Sequence, residues 1–246
     1  METVMSFYAL FVDMTPGSNN KKTFSINMII SHRGFSAKFP ENTLLAFRKS
    51  NKFIEFDVRK TKDNIPIVIH DNTLDRTTNA SGRVEDHTWD QIQKLTIRES
   101  AEKIPSLDQV LAEFGADFTY DIEIKTRNTS QLVVDAILES GIPYDKILVT
   151  SFDWEEIKTI RKLDDNILTG LISLLRPKRA IRNCKELGCS HAVLHHHTIS
   201  QQVVDYATNL GIKVYAYTVN NIDDIRRLLG YGVAAIITDN PNIDSM

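Results

Sequence analysis

The sequence has little cysteine, no long apolar run and almost no net charge. Only Cys184 and Cys189 occur among its 246 residues, and we expect reduced thiols rather than a disulfide framework. No stretch approaches the roughly 20 apolar residues of a transmembrane helix. With 29 basic and 32 acidic residues, and no basic block or aromatic-interleaved basic stripe, the chain lacks the signature of nucleic-acid binding. We therefore expect a soluble, cytoplasmic protein that binds no nucleic acid.

The first 27 residues differ from the rest of the chain. An apolar stretch over residues 5–12 follows Glu2 and lacks the basic start and cleavage pattern of a signal peptide. A polar segment containing Pro16 and Gly17 comes next. We predict a loosely attached extension over residues 1–27 and one domain over residues 28–246.

From Met28 onward, short apolar runs alternate with helical patterns such as residues 200–210 and 221–230, which is typical of βα units and a parallel sheet. The strand candidates are residues 28–31, 54–58, 66–69, 118–124, 147–151, 167–172, 192–194, 212–219 and 234–238. The pattern and the length favour an α/β fold of the TIM (β/α)8 barrel type, with an open doubly wound sheet as the alternative. Because such a barrel holds eight strands and the sequence offers nine candidates, one candidate must be an accessory strand or a loop.

Two segments break the alternation. Residues 61–64 are too few for a crossover helix, so they form either a hairpin or a helix-free crossover. Residues 72–104 combine a polar stretch with a short helix candidate over residues 89–95. We predict that this segment is a small insertion after the third strand, lying over the mouth of the barrel.

Three carboxylates stand on predicted strands, where charge is costly to bury without a partner. Residues two apart on a strand face the same side, so Glu55 and Asp57 can converge while their apolar neighbours pack outward. Glu123, on another strand, is a natural third ligand. The pair alone would equally fit the solvent-facing side of an alternating strand. The three together predict an oxygen site for a hard divalent cation.

Two histidines and two cations accompany these carboxylates. His32 and His70 each follow an apolar run, and the catalytic residues of barrels gather at the carboxyl ends of strands. Arg33 and Lys125 can bind the non-bridging oxygens of a phosphate, or else form salt bridges with the same carboxylates. A single histidine at a strand end is more often structural. Two histidines beside three carboxylates predict acid–base, metal-assisted phosphodiester cleavage.

Other motif residues admit structural interpretations. Gly34 permits a close turn beneath a ligand, and residues 40–43 resemble a helix start in which Glu41 orients His32 or Arg33. The run of histidines over residues 195–197 invites a zinc interpretation. Adjacent strand residues point to opposite sides, however, so we expect at most a contribution to the mouth.

An ordered series of motifs covers residues 28–241. It comprises HRG at 32–34, PENT at 40–43, EFDV at 55–58, TKD at 61–63, HD at 70–71, LDRTT at 74–78, IPSL at 104–107, EIK at 123–125, SF at 151–152, TVN at 218–220 and ITD at 237–239. In this series the chain resembles the glycerophosphodiester phosphodiesterases.

The resemblance implies a TIM barrel like that of phosphatidylinositol phospholipase C. It also implies hydrolysis of small glycerophosphodiesters to glycerol 3-phosphate and an alcohol, with Mg²⁺ or Ca²⁺ as cofactor. The substrate's own 2-hydroxyl attacks first, and water then opens the cyclic phosphate. On this scheme His32 and His70 are general base and acid in an order left open. The remaining roles are metal binding by Glu55, Asp57 and Glu123, and phosphate binding by Arg33 and Lys125.

Two departures from the family pattern stand out. The helix between Phe47 and Glu55 is shorter than usual by roughly one turn, which could displace the metal ligands. Tyr217 stands where relatives commonly carry tryptophan, and we expect it to supply an aromatic wall beside the substrate. The alternatives are a lysophospholipase D-type activity on lysophospholipids and a catalytically impaired barrel used for binding. Oligomeric state stays open.

Overall fold

A computed structural model describes residues 29–242. The predicted extension over residues 1–27 lies outside this range, so that division of the chain stays a prediction. The described residues form nine strands: β1 (Ile29–His32), β2 (Phe53–Lys60), β3 (Pro66–Val68), β4 (Thr119–Ile124), β5 (Ile147–Ser151), β6 (Leu168–Ser173), β7 (His191–His195), β8 (Lys213–Tyr217) and β9 (Ala235–Thr238). They also form eight α-helices: α1 (Leu44–Arg48), α2 (Trp89–Ile92), α3 (Leu107–Phe114), α4 (Ser130–Ser140), α5 (Trp154–Leu163), α6 (Pro177–Leu187), α7 (Gln201–Asn209) and α8 (Ile222–Tyr231).

Eight of the strands close into a parallel barrel. Their order is β1-β9-β8-β7-β6-β5-β4-β2, and pairing of β1 with β2 completes the circle. The predicted TIM-type barrel is therefore confirmed, and the open doubly wound sheet is wrong. The surplus strand is β3, which pairs with β2 alone and runs antiparallel to it.

The connection between β2 and β3 is a hairpin, not a crossover. The amide of Thr61 donates to the carbonyl of Ile65, and Asn64 adopts the left-handed backbone conformation that such tight turns require. The amide of Ile69 then donates to the carbonyl of Asp57 at 2.9 Å. This returning strand carries His70 back to the level of Asp57.

Alternation along β2 divides its side chains between two environments. Ile54, Phe56 and Val58 are fully buried against the helices, within the same apolar cluster as Phe47 and the residues of α3. The intervening carboxylates face the barrel interior, as the sequence predicted. Beneath them the interior is filled by a second apolar cluster: Ile30, Leu148, Ile172, Val193, Tyr215, Ala235 and Ile237.

The segment between β3 and α3 has a small core of its own. It contains α2 and a 3₁₀ turn over Val84–Asp86, and its buried cluster is Ile67, Ile69, Leu74, Val84, Ile92, Ile97 and Ile104. This packing attaches the segment to the hairpin, and Glu102 also accepts a hydrogen bond from the amide of Leu45 in α1. Within residues 29–242, no helix combines the length and apolar character that crossing a membrane takes.

The first barrel helix is short, as expected, with five residues in α1. Thr43 caps it by accepting from the amide of Ala46. Asn51 then fixes the start of β2: its side-chain amide donates to the carbonyl of Ile29 at 2.8 Å, and it accepts from the Ser31 hydroxyl at 2.7 Å. The short helix therefore leaves β2 in register with β1, with Glu55 paired to His32.

Candidate active site

The three carboxylates meet at the carboxyl ends of neighbouring strands. Glu55 and Asp57 project from β2, and Glu123 projects from β4 directly beside Asp57 in the ladder. All three side chains are buried, and one oxygen of each lies within 4.8 Å of the others. The parallel register therefore produces the convergence that the sequence predicted.

Burial and mutual repulsion disfavour the ionised forms of two of these carboxylates. Burial and repulsion from Asp57 and Glu123 raise the pKa of Glu55 well above its usual range, and burial with the neighbouring Asp57 raises the pKa of Glu123 to about 7. Burial also acts to raise the pKa of Asp57, but Lys125 and Arg33 outweigh it and the net shift is downward. Burial raises the pKa of Asp121, one layer below, to about 7.

The donor set suits a hard divalent cation. Among the described residues, no group donates a hydrogen bond to Oδ1 of Asp57, although the atom is buried. Three carboxylates with an open oxygen and too little neutralising charge are what an oxygen-preferring cation requires. The residues present thus fit such an ion, and the acidic cluster can hold one.

Two cations lie against the cluster. The Lys125 ammonium donates to Oε1 of Glu123 at 2.8 Å and lies 3.5 Å from Oδ1 of Asp57. The guanidinium Nε of Arg33 lies 3.3 Å from Oδ2 of Asp57, and the Arg33 amide donates to Glu55 at 2.9 Å. Both cations therefore form salt bridges with the carboxylates, which is one of the two arrangements expected from the sequence.

Glu41 orients Arg33 and not His32. Its Oε1 accepts from Nη1 of Arg33 at 3.0 Å, and its two oxygens also accept from Arg76 at 2.7 and 2.9 Å. Arg76 donates in turn to Asp71 at 2.6 Å. Burial acts to raise the pKa of Glu41, but hydrogen bonding from Arg76 and the charge of Arg33 hold it below its ordinary value.

His32 is held by a carboxylate from the last strand's end. Its Nδ1 lies 2.6 Å from Oδ1 of Asp239, and its Nε2 lies 3.9 Å from Oε2 of Glu55. Burial acts to raise the pKa of Asp239, but hydrogen bonding and the charge of His32 together outweigh it and the pKa falls to about 2. The ionised Asp239 therefore fixes the ring with Nε2 facing the acidic cluster.

His70 has a matching arrangement on the hairpin. Its Nδ1 lies 2.7 Å from Oδ1 of Asp71, and Nε of Arg59 donates to its backbone carbonyl at 2.7 Å. Burial lowers the pKa of His70, and the charges of Asp57 and Asp71 only partly oppose that. Both imidazoles thus use Nδ1 for a structural contact and leave Nε2 available.

Positions within the first loop explain two further motif residues. Gly34 has a φ of 78°, and a Cβ there would stand 2.8 Å from Ala46, so another residue would not fit. Asn42 is buried, and its side-chain amide donates to Oδ2 of Asp57 at 2.9 Å. Sequence reasoning treated residues 40–43 as a helix start and missed this support for a proposed metal ligand.

An aromatic side of the mouth faces the charged one. Tyr217 ends β8, and its ring meets Phe152 and His195 edge-on, with centroids 6.2 and 5.8 Å apart. Its hydroxyl is buried and has no hydrogen-bond partner among the described residues. The cavity between the two sides is lined by polar and aromatic residues, His32, Glu55, Asp121, Glu123, Thr150 and Tyr217, and by the aliphatic residues Ile172, Val193 and Ile237.

The rings of the histidine run contact one another and Tyr217. Within the described part of the chain, the only group of three or more histidine, cysteine or acidic residues close enough to share an ion is Glu55, Asp57 and Glu123. His195 instead packs on Tyr217, and the rings of His196 and His197 lie 3.9 Å apart. These ring contacts agree with the structural interpretation of the run, and its lack of a zinc ion stays a prediction.

The fold and site define an α/β-barrel enzyme with two carboxylate-held histidines beside a buried acidic cluster. The sequence model of the glycerophosphoryl diester phosphodiesterase family matches residues 32–243. The chain belongs to this family.

Individual relatives agree with the family match. A glycerophosphodiester phosphodiesterase of Caldanaerobacter subterraneus subsp. tengcongensis is 32% identical over 234 residues, which is 87% of this chain and 94% of the relative. One from Bacillus subtilis is 31% identical, covering 88% of this chain and 84% of the relative. These matches confirm the expected enzyme class.

A solved structure has the same fold over nearly the whole barrel. It is an Oleispira antarctica phosphodiesterase in complex with the product sn-glycerol-3-phosphate. The TM-score is 0.79 at 27% identity, over 89% of this chain and 95% of that chain.

Proposed function

We propose that this protein hydrolyses glycerophosphodiesters to sn-glycerol 3-phosphate and an alcohol, with a divalent metal and two histidines. The observation that carries the proposal is the meeting of three buried carboxylates with two carboxylate-held imidazoles at one mouth. The Oleispira antarctica relative bound to sn-glycerol-3-phosphate supports the choice of substrate. The proposal includes a small-molecule substrate, no nucleic acid partner and a cytoplasmic location.

Glu55, Asp57 and Glu123 would hold the ion, Mg²⁺ or Ca²⁺, because both cations prefer oxygen ligands. When bound, the ion stabilises the negative charge that grows on the phosphate oxygens. Arg33 and Lys125 lie next to the same carboxylates and bind the non-bridging oxygens. Their ion pairs to the acidic cluster keep both cations in place before substrate arrives.

His32 and His70 exchange the protons through their free Nε2 atoms. One imidazole removes the proton of the glycerol 2-hydroxyl, which attacks phosphorus, while the other protonates the departing alcohol oxygen. Water then opens the cyclic phosphate with the two proton transfers reversed. Asp239 and Asp71 hold the rings in the required orientation. Tyr217 forms part of the wall beside the leaving group.

The proposal is tested by assaying purified protein on glycerophosphocholine and glycerophosphoethanolamine. Release of glycerol 3-phosphate should stop with EDTA, return with Mg²⁺ or Ca²⁺, and be lost in Glu55→Ala. Glu139→Ala, an exposed carboxylate change on α4, is the matched control and should keep full activity. No release from folded, metal-supplied protein would contradict the proposal.

A second candidate activity is cleavage of lysophospholipids in the manner of a lysophospholipase D. It is favoured by exposed apolar side chains after β5 and β6, where Phe152 is 42% and Leu174 54% exposed. Lysophosphatidylcholine offered beside glycerophosphocholine separates the two, because choline release from the former at the faster rate would favour the second candidate.

A further inference from the structure

The loop between β6 and α6 exposes two adjacent leucines. Leu174 is 54% and Leu175 73% exposed, and Leu175 has the highest exposure among the large apolar side chains of residues 29–242. The Ser173 hydroxyl donates to the carbonyl of Leu175, and Arg176 has a φ of 57°, which residues with a Cβ rarely adopt. The chain therefore holds these leucines outward in a defined loop.

Basic residues follow the leucines without interruption by any acid. Residues 174–185 contain five basic residues and no acidic one in a chain whose net charge is −3. The even overall balance thus conceals one basic block, which our sequence expectation missed. Within the described range 29–242, Arg176, Lys178 and Arg179 are exposed and form no ion pair, although Lys178 and Arg179 lie over aromatic rings.

Helix stability does not account for this charge. Cations near a helix N-terminus oppose the helix dipole. The first turn of α6 has no acidic residue, and its cap residue, Arg176, makes no side-chain capping bond. By contrast, α5 and α8 begin with Asp153 and Asn221 as caps and carry acidic residues in their first turns. The helices α4 and α7 also lack a side-chain capping bond and first-turn acids, but of these three helices only α6 begins with basic residues.

The loop lies at the mouth, across from the acid–base groups. The carboxyl end of β6 is separated from β1 by three strands on one side and from β2 by two on the other. Because all eight barrel strands are parallel, Leu174 and Leu175 leave the barrel at the same end as His32 and Glu55. A surface that met these leucines would face the mouth.

We propose that the β6–α6 loop and the first turn of α6 dock the protein on an anionic lipid surface. Leu174 and Leu175 insert among the lipid chains, and Arg176, Lys178 and Arg179 contact acidic headgroups. Protruding leucines beside exposed cations match a lipid interface. Residues 174–185 contain no aromatic side chain on which nucleic-acid bases could stack, and the neighbouring rings of Tyr206 and Trp154 lie under Lys178 and Arg179. The surface stands on exposure and charge and does not depend on the proposed reaction.

Flotation of the full-length protein with vesicles tests this surface. Vesicles of phosphatidylcholine with 30% phosphatidylglycerol should carry wild-type protein upward at low salt, and vesicles of phosphatidylcholine alone should not. Binding should fall about tenfold in Leu174→Ser/Leu175→Ser and by at least that in Arg176→Ser/Lys178→Ser/Arg179→Ser. Raising the salt to 0.5 M should release the wild-type protein.

Matched variants carry equal changes on exposed positions away from the mouth. Leu138→Ser/Leu163→Ser removes two exposed leucines from α4 and α5, and Lys49→Ser/Lys52→Ser/Lys213→Ser removes three cations from loops and strand starts at the opposite end of the barrel. Both should float like wild type, and so should the proposed catalytic variant His32→Ala. Equal flotation with neutral and anionic vesicles, or wild-type flotation of the loop variants, overturns the proposal. Tight binding of a single-stranded RNA in place of vesicles overturns it as well.

Discussion

The two sides of the barrel mouth are built from different chemistry. The ends of β1, β2 and β4, with the returning β3, carry buried and half-buried ionisable side chains, several of which form ion pairs with one another. The ends of β5 to β8 carry Phe152, Leu174, His195 and Tyr217, which are aromatic, apolar or half-exposed. The Lys125 ammonium lies between the two sides, 5.6 Å from the ring centroid of Phe152.

The two sides of the mouth are suited to different tasks. Charges held in a water-poor environment act strongly on a phosphate, but each must be placed by several partners. Aromatic and aliphatic side chains need few partners, so the opposite side tolerates changes in shape. We therefore expect substitutions on the charged side to alter the rate of the reaction, and substitutions on the other side to alter what is selected.

The largest effect should come from Glu123→Gln. Loss of one proposed ligand should lower glycerol 3-phosphate release at least about 1,000-fold, because the metal supplies several kcal/mol to the transition state. The melting temperature in EDTA should hold or rise, since burial and nearby carboxylates disfavour the charge of Glu123. Kinetics and thermal unfolding measure both. A variant that keeps metal-dependent activity would remove Glu123 from the site.

Stability of the metal-free protein should fall as pH rises through about 7. The pKa values of Glu123 and Asp121 are raised to about 7, and that of Glu55 is also raised, so the native state keeps protons that the unfolded chain has lost above their ordinary values. This contribution to the free energy of unfolding is fully present below the pKa values of the unfolded chain. It is lost as the pH rises through the pKa values of the folded protein. At about 1.4 kcal/mol per pKa unit, the loss is on the order of a few kcal/mol.

Thermal unfolding in EDTA at pH 5.5 and 8.5 measures this loss. Asp121→Asn should flatten the profile, because it removes one of the protons involved. Bound Mg²⁺ or Ca²⁺ should flatten it further by favouring the ionised carboxylates. A profile that is already flat in EDTA would contradict the electrostatic description of the cluster.

Asp239→Asn should have an intermediate effect on activity. The amide cannot hold the His32 ring in the same orientation, so kcat should fall about 100-fold. KM should change little, because Asp239 does not reach the phosphate cations. The exposed carboxylate change Asp223→Asn on α8 is the control. A fall in kcat that is accompanied by a lower melting temperature, with an unchanged pH profile of the rate, would instead indicate a structural role.

Tyr217→Phe should have the smallest effect and mark the tolerant side. Its buried hydroxyl lacks a partner among the described residues, so removing it should raise the free energy of unfolding by about 1 kcal/mol and keep activity within about twofold. Tyr120→Phe is the opposite control, because its hydroxyl donates to the carbonyl of Gly115 at 2.6 Å. Urea unfolding of the pair should show shifts of opposite sign.

Local patterns carried most of the fold. The period of two along β2 predicted both the outward apolar residues and the inward carboxylates, and the helix candidates over 200–210 and 221–230 lie within a residue of α7 and α8. The nature of the 61–64 connection stayed open, because a short polar link is compatible with either strand direction. Only the ladder between β2 and β3 decided it.

Residues that support the site were harder to predict. The seven proposed site side chains lie together, but the roles of Asp239, Asn42 and Asn51 did not emerge from the sequence. Each acts on a partner far along the chain or on a backbone group, and no local period reports such a contact. Asp239 and His32 are 207 residues apart and meet only because β9 lies beside β1.

That last separation makes the two histidines unequal with respect to folding. His70 reaches Asp57 through a short hairpin, whose loop costs little entropy to close. His32 gains Asp239 only when the first and last barrel strands join, at the end of a 207-residue loop. An opening confined to the β1–β9 seam would therefore release one imidazole from its carboxylate while leaving the hairpin whole. On the proposed mechanism, catalysis therefore requires that the circle of strands is closed.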